Sequence, residues 1–122
     1  MSMNKLLSIA QRLQPELTDW RRYIHHLAET GMYTHQTAAF VKETLEEMGY
    51  QANYVAGTGV TATAGGKRPG KCFLLRADMD AIEGLTEEND LAYKATNGNM
   101  HGCGHGFSHG NASRCCKGTQ SL

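Results

Sequence analysis

The chain has 122 residues, with 12 basic and 12 acidic side chains and therefore no net formal charge when histidine is neutral. This length suffices for one modest domain, and the absence of a basic excess argues against a nucleic-acid-binding protein. The first residues contain no apolar run long enough for a signal peptide or a membrane span. We therefore expect a cytoplasmic protein with no membrane partner, whose four cysteines are thiols or metal ligands rather than a disulfide framework.

The first half of the sequence predicts two helices. Apolar residues recur at helical spacing over residues 4–29. Pro15 is expected to break this stretch into two helices, because a proline fits the first turn of a helix but not its interior. After a loop, Thr34 is placed as an N-cap, and a second helix is predicted from His35 to Gly49, where the glycine ends it.

The middle of the sequence predicts strands. The segments "YQANYVA" and "GVTATAG", joined by residues 57–59, indicate a β-hairpin. The run "CFLLRADMD" is apolar at its start and charged at its end, which is typical of a buried strand. Open α/β sheets bind ligands beyond the carboxyl ends of their strands, so Asp78 and Asp80 are candidate functional residues. The alternative is that both are turn residues that close the strand.

Residue types that bind metals cluster near the C-terminus: His101, Cys103, His105, His109, Cys115 and Cys116. The glycine between Cys103 and His105 lets the backbone bend, so that a thiolate and an imidazole can face one centre, and zinc accepts both. A metal site needs three or four ligands, which His101 and His109 could complete. The spacing alone leaves a metal site and a flexible histidine-rich loop equally open.

The chain up to His105 resembles the metal-dependent aminoacylase and carboxypeptidase-like amidohydrolases, in the branch that contains N-acyl-amino-acid, indole-acetyl-amino-acid and aminobenzoyl-glutamate hydrolases. The resemblance rests on four segments in order: "WRRYIHHLAETGMYTHQTAAFVKETLEEMGY", "GTGVTATAGG", "LLRADMDAI" and "NGNMHGCGH". It implies an α/β fold in which residues 1–105 form the N-terminal part of an α/β/α catalytic domain with a mixed sheet.

The resemblance also implies roles for individual residues. Cys103 and His105 match the first two ligands of the family's two-metal centre, which holds zinc or manganese. Asp80, the candidate catalytic residue, matches the aspartate that tunes this centre. Asp78 falls where more distant relatives carry a metal-binding histidine, so it is expected to orient the ligands from outside, and His101 is expected to be structural.

The implied activity is hydrolysis of N-acyl amino acids or related amide conjugates, which are small-molecule substrates, by enzymes that are often homodimers. In the family the metals polarise a water and the amide carbonyl while a glutamate takes the proton, and that glutamate and the other ligands lie downstream of this chain. The truncated chain is therefore expected to be inactive and to bind metal weakly or not at all. One alternative is a small Cys/His metal-binding module without catalysis. Another is a fragment that pairs with a second chain through an open sheet edge.

The resemblance stops one residue after His105. There the family has an aspartate and a helix resembling "HTAMLLGAAK", whereas residues 106–122 read "GFSHGNASRCCKGTQSL". Permitted codons for this tail, read with the first base removed, give "DFHTAMLLGAAKALSL", which restores both features. We therefore predict that an inserted base near codon 106 produced a non-native tail. Its glycine-rich and serine-rich composition predicts disorder, and its histidine and cysteines are then not evolved ligands.

Overall fold

The computed structural model describes residues 3–65 and 69–105. Its elements in chain order are α1 (Met3–Leu27), α2 (His35–Glu47), β1 (Ala52–Val55) and β2 (Gly59–Ala62). The predicted α/β class is confirmed. The predicted tail over residues 106–122, with its disorder, lies outside the described residues. Within the described part of the chain, no helix has both the length and the apolar character needed to cross a membrane.

Helix α1 runs without interruption through Pro15, so the predicted break is wrong. A proline removes one intrahelical hydrogen bond, here the one to the carbonyl of Gln11. Gln11 and Pro15 are both exposed, so water can satisfy that carbonyl. Ile9 and Ile24 are buried on either side of the proline. Burial on both sides therefore keeps the helix in one piece.

The N-terminus of α2 is capped by Glu29 and not by the side chain of Thr34. Thr34 occupies the N-cap position but makes no side-chain capping hydrogen bond. Instead, the Glu29 carboxylate accepts the backbone N–H of Gln36 at 3.1 Å and that of Thr37 at 2.7 Å. The Thr37 hydroxyl also donates to it, at 2.8 Å. A negative charge at this end of a helix also interacts favourably with the helix dipole.

The predicted hairpin is confirmed, with shorter strands than the sequence suggested. β1 and β2 pair antiparallel, from Ala52 opposite Ala62 to Val55 opposite Gly59. The connecting loop contains two left-handed residues, Ala56 at φ 51° and Gly57 at φ 92°. The core between α2 and the hairpin consists of Val41, Leu45, Met48 and Ala52, against which Trp20, Tyr50, Val60 and Met79 pack.

The run over residues 72–80 is not the buried strand that its composition predicted. The exposed fractions of Phe73, Leu74 and Leu75 are 83%, 91% and 59%. A strand needs a neighbour for its backbone N–H and C=O groups, and in the described residues β1 and β2 pair only with each other. Backbone pairing is found just after the run, in two isolated bridges that join Thr30 to Ala81 and Ile82 to Met100.

Candidate metal-ligand site

The centre of the candidate site is the pair formed by His105 and Asp80. The Nδ1 atom of His105 lies 3.0 Å from the Asp80 carbonyl oxygen and 3.1 Å from Asp80 Oδ1. A carbonyl oxygen can only accept, so Nδ1 carries the proton and donates it. In the neutral ring this leaves the lone pair on Nε2. A histidine that donates from one nitrogen to a carboxylate or carbonyl while the other stays free is the usual arrangement of a metal-binding imidazole.

Asp78 lies on the other side of the same imidazole. Its Oδ2 atom is 4.0 Å from His105 Nε2, which is too far for a direct hydrogen bond. Its other oxygen, Oδ1, accepts a hydrogen bond from Arg76 Nη2. The Arg76 side chain is largely exposed, so this ion pair adds little stability. Its effect is to hold the Asp78 carboxylate beside the free nitrogen of His105.

Cys103 is exposed and makes no hydrogen bond or ion pair in the part of the chain that is described. It stands between two glycines that the turn requires. Gly104 has φ 81°, and a Cβ on Gly102 would lie 3.0 Å from Leu85 Cδ2 and 3.2 Å from Ile82 Cδ1. The thiol is therefore presented to solvent by a turn that packs tightly on its inner side.

These donors do not complete a metal site by themselves. Over residues 3–65 and 69–105, no three His, Cys, Asp or Glu side chains converge in a way that could hold a metal ion. The structure brings Asp78, Asp80 and His105 together, while Cys103 makes no hydrogen bond or ion pair with them in the described residues. His109, Cys115 and Cys116 lie outside the described residues. The described residues therefore supply two groups that metals commonly bind, a thiol and an oriented imidazole, but not a full coordination sphere.

His101 is a buried residue and not a member of a donor cluster. Its exposed fraction is 8%, and neither ring nitrogen has a hydrogen-bond partner of ordinary geometry among the described residues. Burial, together with the nearby charges of His25 and His105, lowers the pKa of His101 to about 4, although Asp80 and the Ile24 backbone oppose the shift. The ring is therefore neutral at pH 7. Its burial agrees with the structural role that the resemblance implied.

The segment that leads to Cys103 is held on the C-terminal end of α1. Asn97 Nδ2 donates to the carbonyls of Leu27 and Ala28, at 2.9 and 3.1 Å. The last carbonyls of a helix have no partner within it, so Asn97 supplies one from far along the chain. Ala28 also packs with Ala81 and Ala95 in a small buried cluster. The end of α1 therefore serves as the support on which the candidate site is built.

A buried contact between a histidine and a carboxylate strengthens the same support. His25 Nε2 lies 2.9 Å from both carboxylate oxygens of Glu87. Burial opposes ionisation of Glu87, but hydrogen bonds from Asn89, the Ala95 N–H and His25, together with the His25 charge, lower its pKa to about 2. Glu87 was not singled out by sequence reasoning, because it stands in an acidic stretch beside Glu88. Only the tertiary contact distinguishes the two.

Comparison with known proteins identifies relatives of the chain. The chain is 34% identical over 107 residues to an N-acyl-L-amino acid amidohydrolase of Geobacillus stearothermophilus, a match that covers 86% of this chain and 29% of the relative. It is 39% identical over 97 residues to thermostable carboxypeptidase 1 of Saccharolobus solfataricus, covering 74% of this chain and 24% of the relative. It is 38% identical over 97 residues to an N-acetyl-L-cysteine deacetylase of Bacillus subtilis, covering 78% and 23%. No family model matches the chain.

Two solved structures share the fold. A proposed aminohydrolase of methicillin-resistant Staphylococcus aureus superposes with a TM-score of 0.88 at 24% identity, over 100% of this chain and 32% of its own. The YxeP protein of Bacillus subtilis, a dinuclear metal-binding peptidase of the M20 family, superposes with a TM-score of 0.79 at 26% identity, over 88% of this chain and 32% of its own.

The chain belongs to the M20 family of aminoacylases and carboxypeptidases. It corresponds to the N-terminal part of these proteins and spans about a quarter of the length of the curated relatives it matches. The fold expected from the resemblance, the N-terminal part of the M20 catalytic domain, is confirmed. The roles expected for Cys103, His105, Asp80 and Asp78 stay predictions, because the comparisons do not address individual residues.

Proposed function

We propose that the chain is the N-terminal part of a metal-dependent amidohydrolase that cleaves N-acyl amino acids or related amide conjugates. The relatives named above include an N-acyl-L-amino acid amidohydrolase and an N-acetyl-L-cysteine deacetylase, and both names describe an acyl group on the nitrogen of an amino acid. The observation that carries the proposal is the orientation of His105. Its Nδ1 donates to Asp80, which leaves Nε2 free. Cys103, the other candidate ligand, lies two residues earlier in the chain.

In this proposal the chain's own residues prepare a metal-binding surface. Cys103 and His105 would hold divalent zinc or manganese, which supplies polarisation of an amide carbonyl and activation of water. Asp80 keeps the proton of His105 on Nδ1 and fixes the plane of the ring. Asp78 places a second negative charge near Nε2, and Arg76 balances it. The hydrogen bond to Asp80 raises the basicity of the ring and so favours a cation at that nitrogen.

We propose further that the 122-residue chain has no hydrolase activity of its own. Cys103 offers a thiol and His105 a free imidazole nitrogen, but the described residues contain no group of three His, Cys, Asp or Glu side chains that could hold a metal ion. A catalytic zinc site typically has three protein ligands, and the glutamate that the family uses as a base has no counterpart among the roles assigned above. The small Cys/His metal-binding module is less well supported, because His101 is buried away from solvent.

The experiment that tests this function begins with the gene. If residues 106–122 arise from an inserted base, the DNA continues in the alternative frame into further coding sequence of an amidohydrolase. The protein encoded by that frame, loaded with zinc or manganese, should release free amino acids from N-acetyl and longer N-acyl amino acids. Chelation should abolish this activity. A DNA sequence with no such continuation, or an extended protein that is inert toward the whole substrate panel, would refute the proposal.

A further inference from the structure

We propose that Glu87 is a positioning residue for the Cys103 and His105 pair. Through His25 it fixes the segment 87–99, hereafter the support segment, on the last turn of α1, and so sets where the two candidate ligands lie. The inference rests on the proposed function only in taking Cys103 and His105 as metal ligands. The anchoring of the support segment can be measured without any metal.

Glu87 is placed so that only a carboxylate satisfies its surroundings. Its Oε1 atom accepts hydrogen bonds from His25 Nε2 at 2.9 Å and from Asn89 Nδ2 at 2.7 Å. Its Oε2 atom accepts from His25 Nε2 at 2.9 Å and from the Ala95 N–H at 2.8 Å. All the partners are donors, and an ionised carboxylate is the side chain that only accepts. A glutamine here would point its own N–H groups at a donor on one side.

The pair is buried, which makes its loss costly. The exposed fraction of Glu87 is 7% and that of His25 is also 7%. The His25 ring packs edge-on against Tyr93 and lies with its centroid 6.1 Å from that of His101. Removing one partner leaves the buried polar atoms of the other without a hydrogen bond. The contact therefore belongs to the interior that joins α1 to the support segment, and not to the solvated surface.

The support segment is attached at several further points to the same turn of α1. His26 Nδ1 bonds to the carbonyl of Lys94 at 2.9 Å, and Asn97 Nδ2 donates to the Leu27 carbonyl at 2.9 Å. The next residues form the bridge between Met100 and Ile82, in which each backbone N–H donates to the other carbonyl. Cys103 follows three residues later. A continuous set of contacts therefore connects the end of α1 to the turn that carries Cys103, and so fixes where that turn lies.

The test compares Glu87→Gln with Glu88→Gln in the whole chain. The two glutamates are adjacent, but Glu88 is exposed and makes no described contact, so its variant is a matched control. In both proteins Cys72, Cys115 and Cys116 are replaced by serine, which leaves Cys103 as the single thiol. Titration with Co²⁺ then reports coordination by Cys103 through the thiolate-to-cobalt absorption band. Hydrogen exchange of the metal-free proteins reports anchoring of the support segment.

We expect Glu87→Gln to weaken Co²⁺ binding about tenfold or more, as when partners behind metal ligands are removed, while Glu88→Gln leaves it within about twofold. Exchange should rise in residues 87–105 and in the last turn of α1, with α2 and the hairpin unchanged. Equal Co²⁺ affinity and equal exchange in the two variants would overturn the proposal. So would a uniform rise in exchange over the whole chain, because that indicates a role in global stability alone.

Two further results keep the inference separate from the proposed function. If the control shows no thiolate-to-cobalt band, the metal-ligand role of Cys103 fails, and the exchange pattern alone then supports or overturns the role of Glu87. If Glu87→Gln does not fold, Asn89→Ala removes one of the donors and keeps the contact between Glu87 and His25. It should give the same local rise in exchange at smaller amplitude, and no local rise would overturn the proposal.

Discussion

His105 donates from Nδ1 to both the backbone carbonyl and the carboxylate of Asp80, at 3.0 and 3.1 Å. Asp80 thus offers two acceptors to the same ring nitrogen, so the imidazole cannot turn without losing both contacts. The geometry gives Asp80 a specific task, which is to present Nε2 outward. The tuning role that the resemblance suggested for Asp80 stays a prediction, and it can be measured.

Replacing Asp80 should weaken metal binding. In Asp80→Ala the carboxylate is lost and only the backbone carbonyl still fixes the ring. We expect Co²⁺ affinity to fall about 10-fold to 100-fold, measured by absorption titration with Cys103 as the single thiol. Asp90→Ala serves as the control, because Asp90 is exposed and has no described partner. If both variants bind Co²⁺ equally, Asp80 has no part in presenting the ligand.

The lowered pKa of Glu87 should make the stability of the chain depend on pH. The folded pKa of Glu87 is about 2, below its ordinary value of 4.5. A carboxylate with a lowered pKa stabilises the folded chain above pH 4.5, and this contribution is lost as the pH falls toward 2. The free energy of unfolding of the native chain should exceed that of Glu87→Gln by on the order of 1–3 kcal/mol at pH 7.

Urea denaturation at pH 7, 5 and 3 measures this difference. The gap between the native chain and Glu87→Gln should shrink by about half or more between pH 7 and pH 3, because Glu87 then loses most of its advantage over the unfolded state. A gap that stays constant with pH would show that the carboxylate charge contributes nothing. Glu88→Gln should show no comparable gap at any pH.

The cap of α2 gives a prediction that separates two neighbouring residues. Glu29→Ala removes the acceptor of three hydrogen bonds and should lower the free energy of unfolding by about 1–2 kcal/mol. Thr34→Val keeps the shape and removes a hydroxyl that makes no capping hydrogen bond, so it should cost less stability than Glu29→Ala. Chemical denaturation of both variants tests the assignment. A large effect of Thr34→Val with a small one of Glu29→Ala would reverse it.

The exposed run over residues 72–80 gives a contrast between two leucines. Leu74 is 91% exposed, whereas Leu45 is 8% exposed in the core of α2. Leu74→Lys should leave stability within about 0.5 kcal/mol and improve solubility, since exposed apolar surface promotes association. Leu45→Ala should cost about 2–4 kcal/mol. A destabilisation by Leu74→Lys as large as that by Leu45→Ala would show that the run is buried in solution.

The sequence predicted those parts of the fold that depend on local pattern. The apolar periodicity of α2 and the glycines around the hairpin located both elements, because helix spacing and turn geometry are encoded within a few residues. Pro15 was misjudged because burial at Ile9 and Ile24 outweighs a local preference. The run beginning at Cys72 was misjudged because its composition is that of a strand, but a strand also needs a neighbour, and no described segment pairs with it.

The site was predictable in part for a related reason. Cys103 and His105 stood out through their spacing, and Asp80 through the family resemblance. Glu87 and Asn97 act through partners more than sixty residues away, and Glu29 acts through the first turn of the next helix, so neither composition nor periodicity distinguishes them from other polar residues. Each of them became visible only when its hydrogen-bond partners were located.

The most direct test of the central claim is hydrolysis of N-acetyl amino acids by the protein encoded by the gene in the alternative frame after codon 105. The account predicts metal-dependent release of the amino acid, abolished by chelation and reduced at least about 100-fold when Cys103 or His105 is replaced by alanine. A folded, metal-loaded protein that cleaves none of these amides, or one whose activity is indifferent to both substitutions, would contradict it.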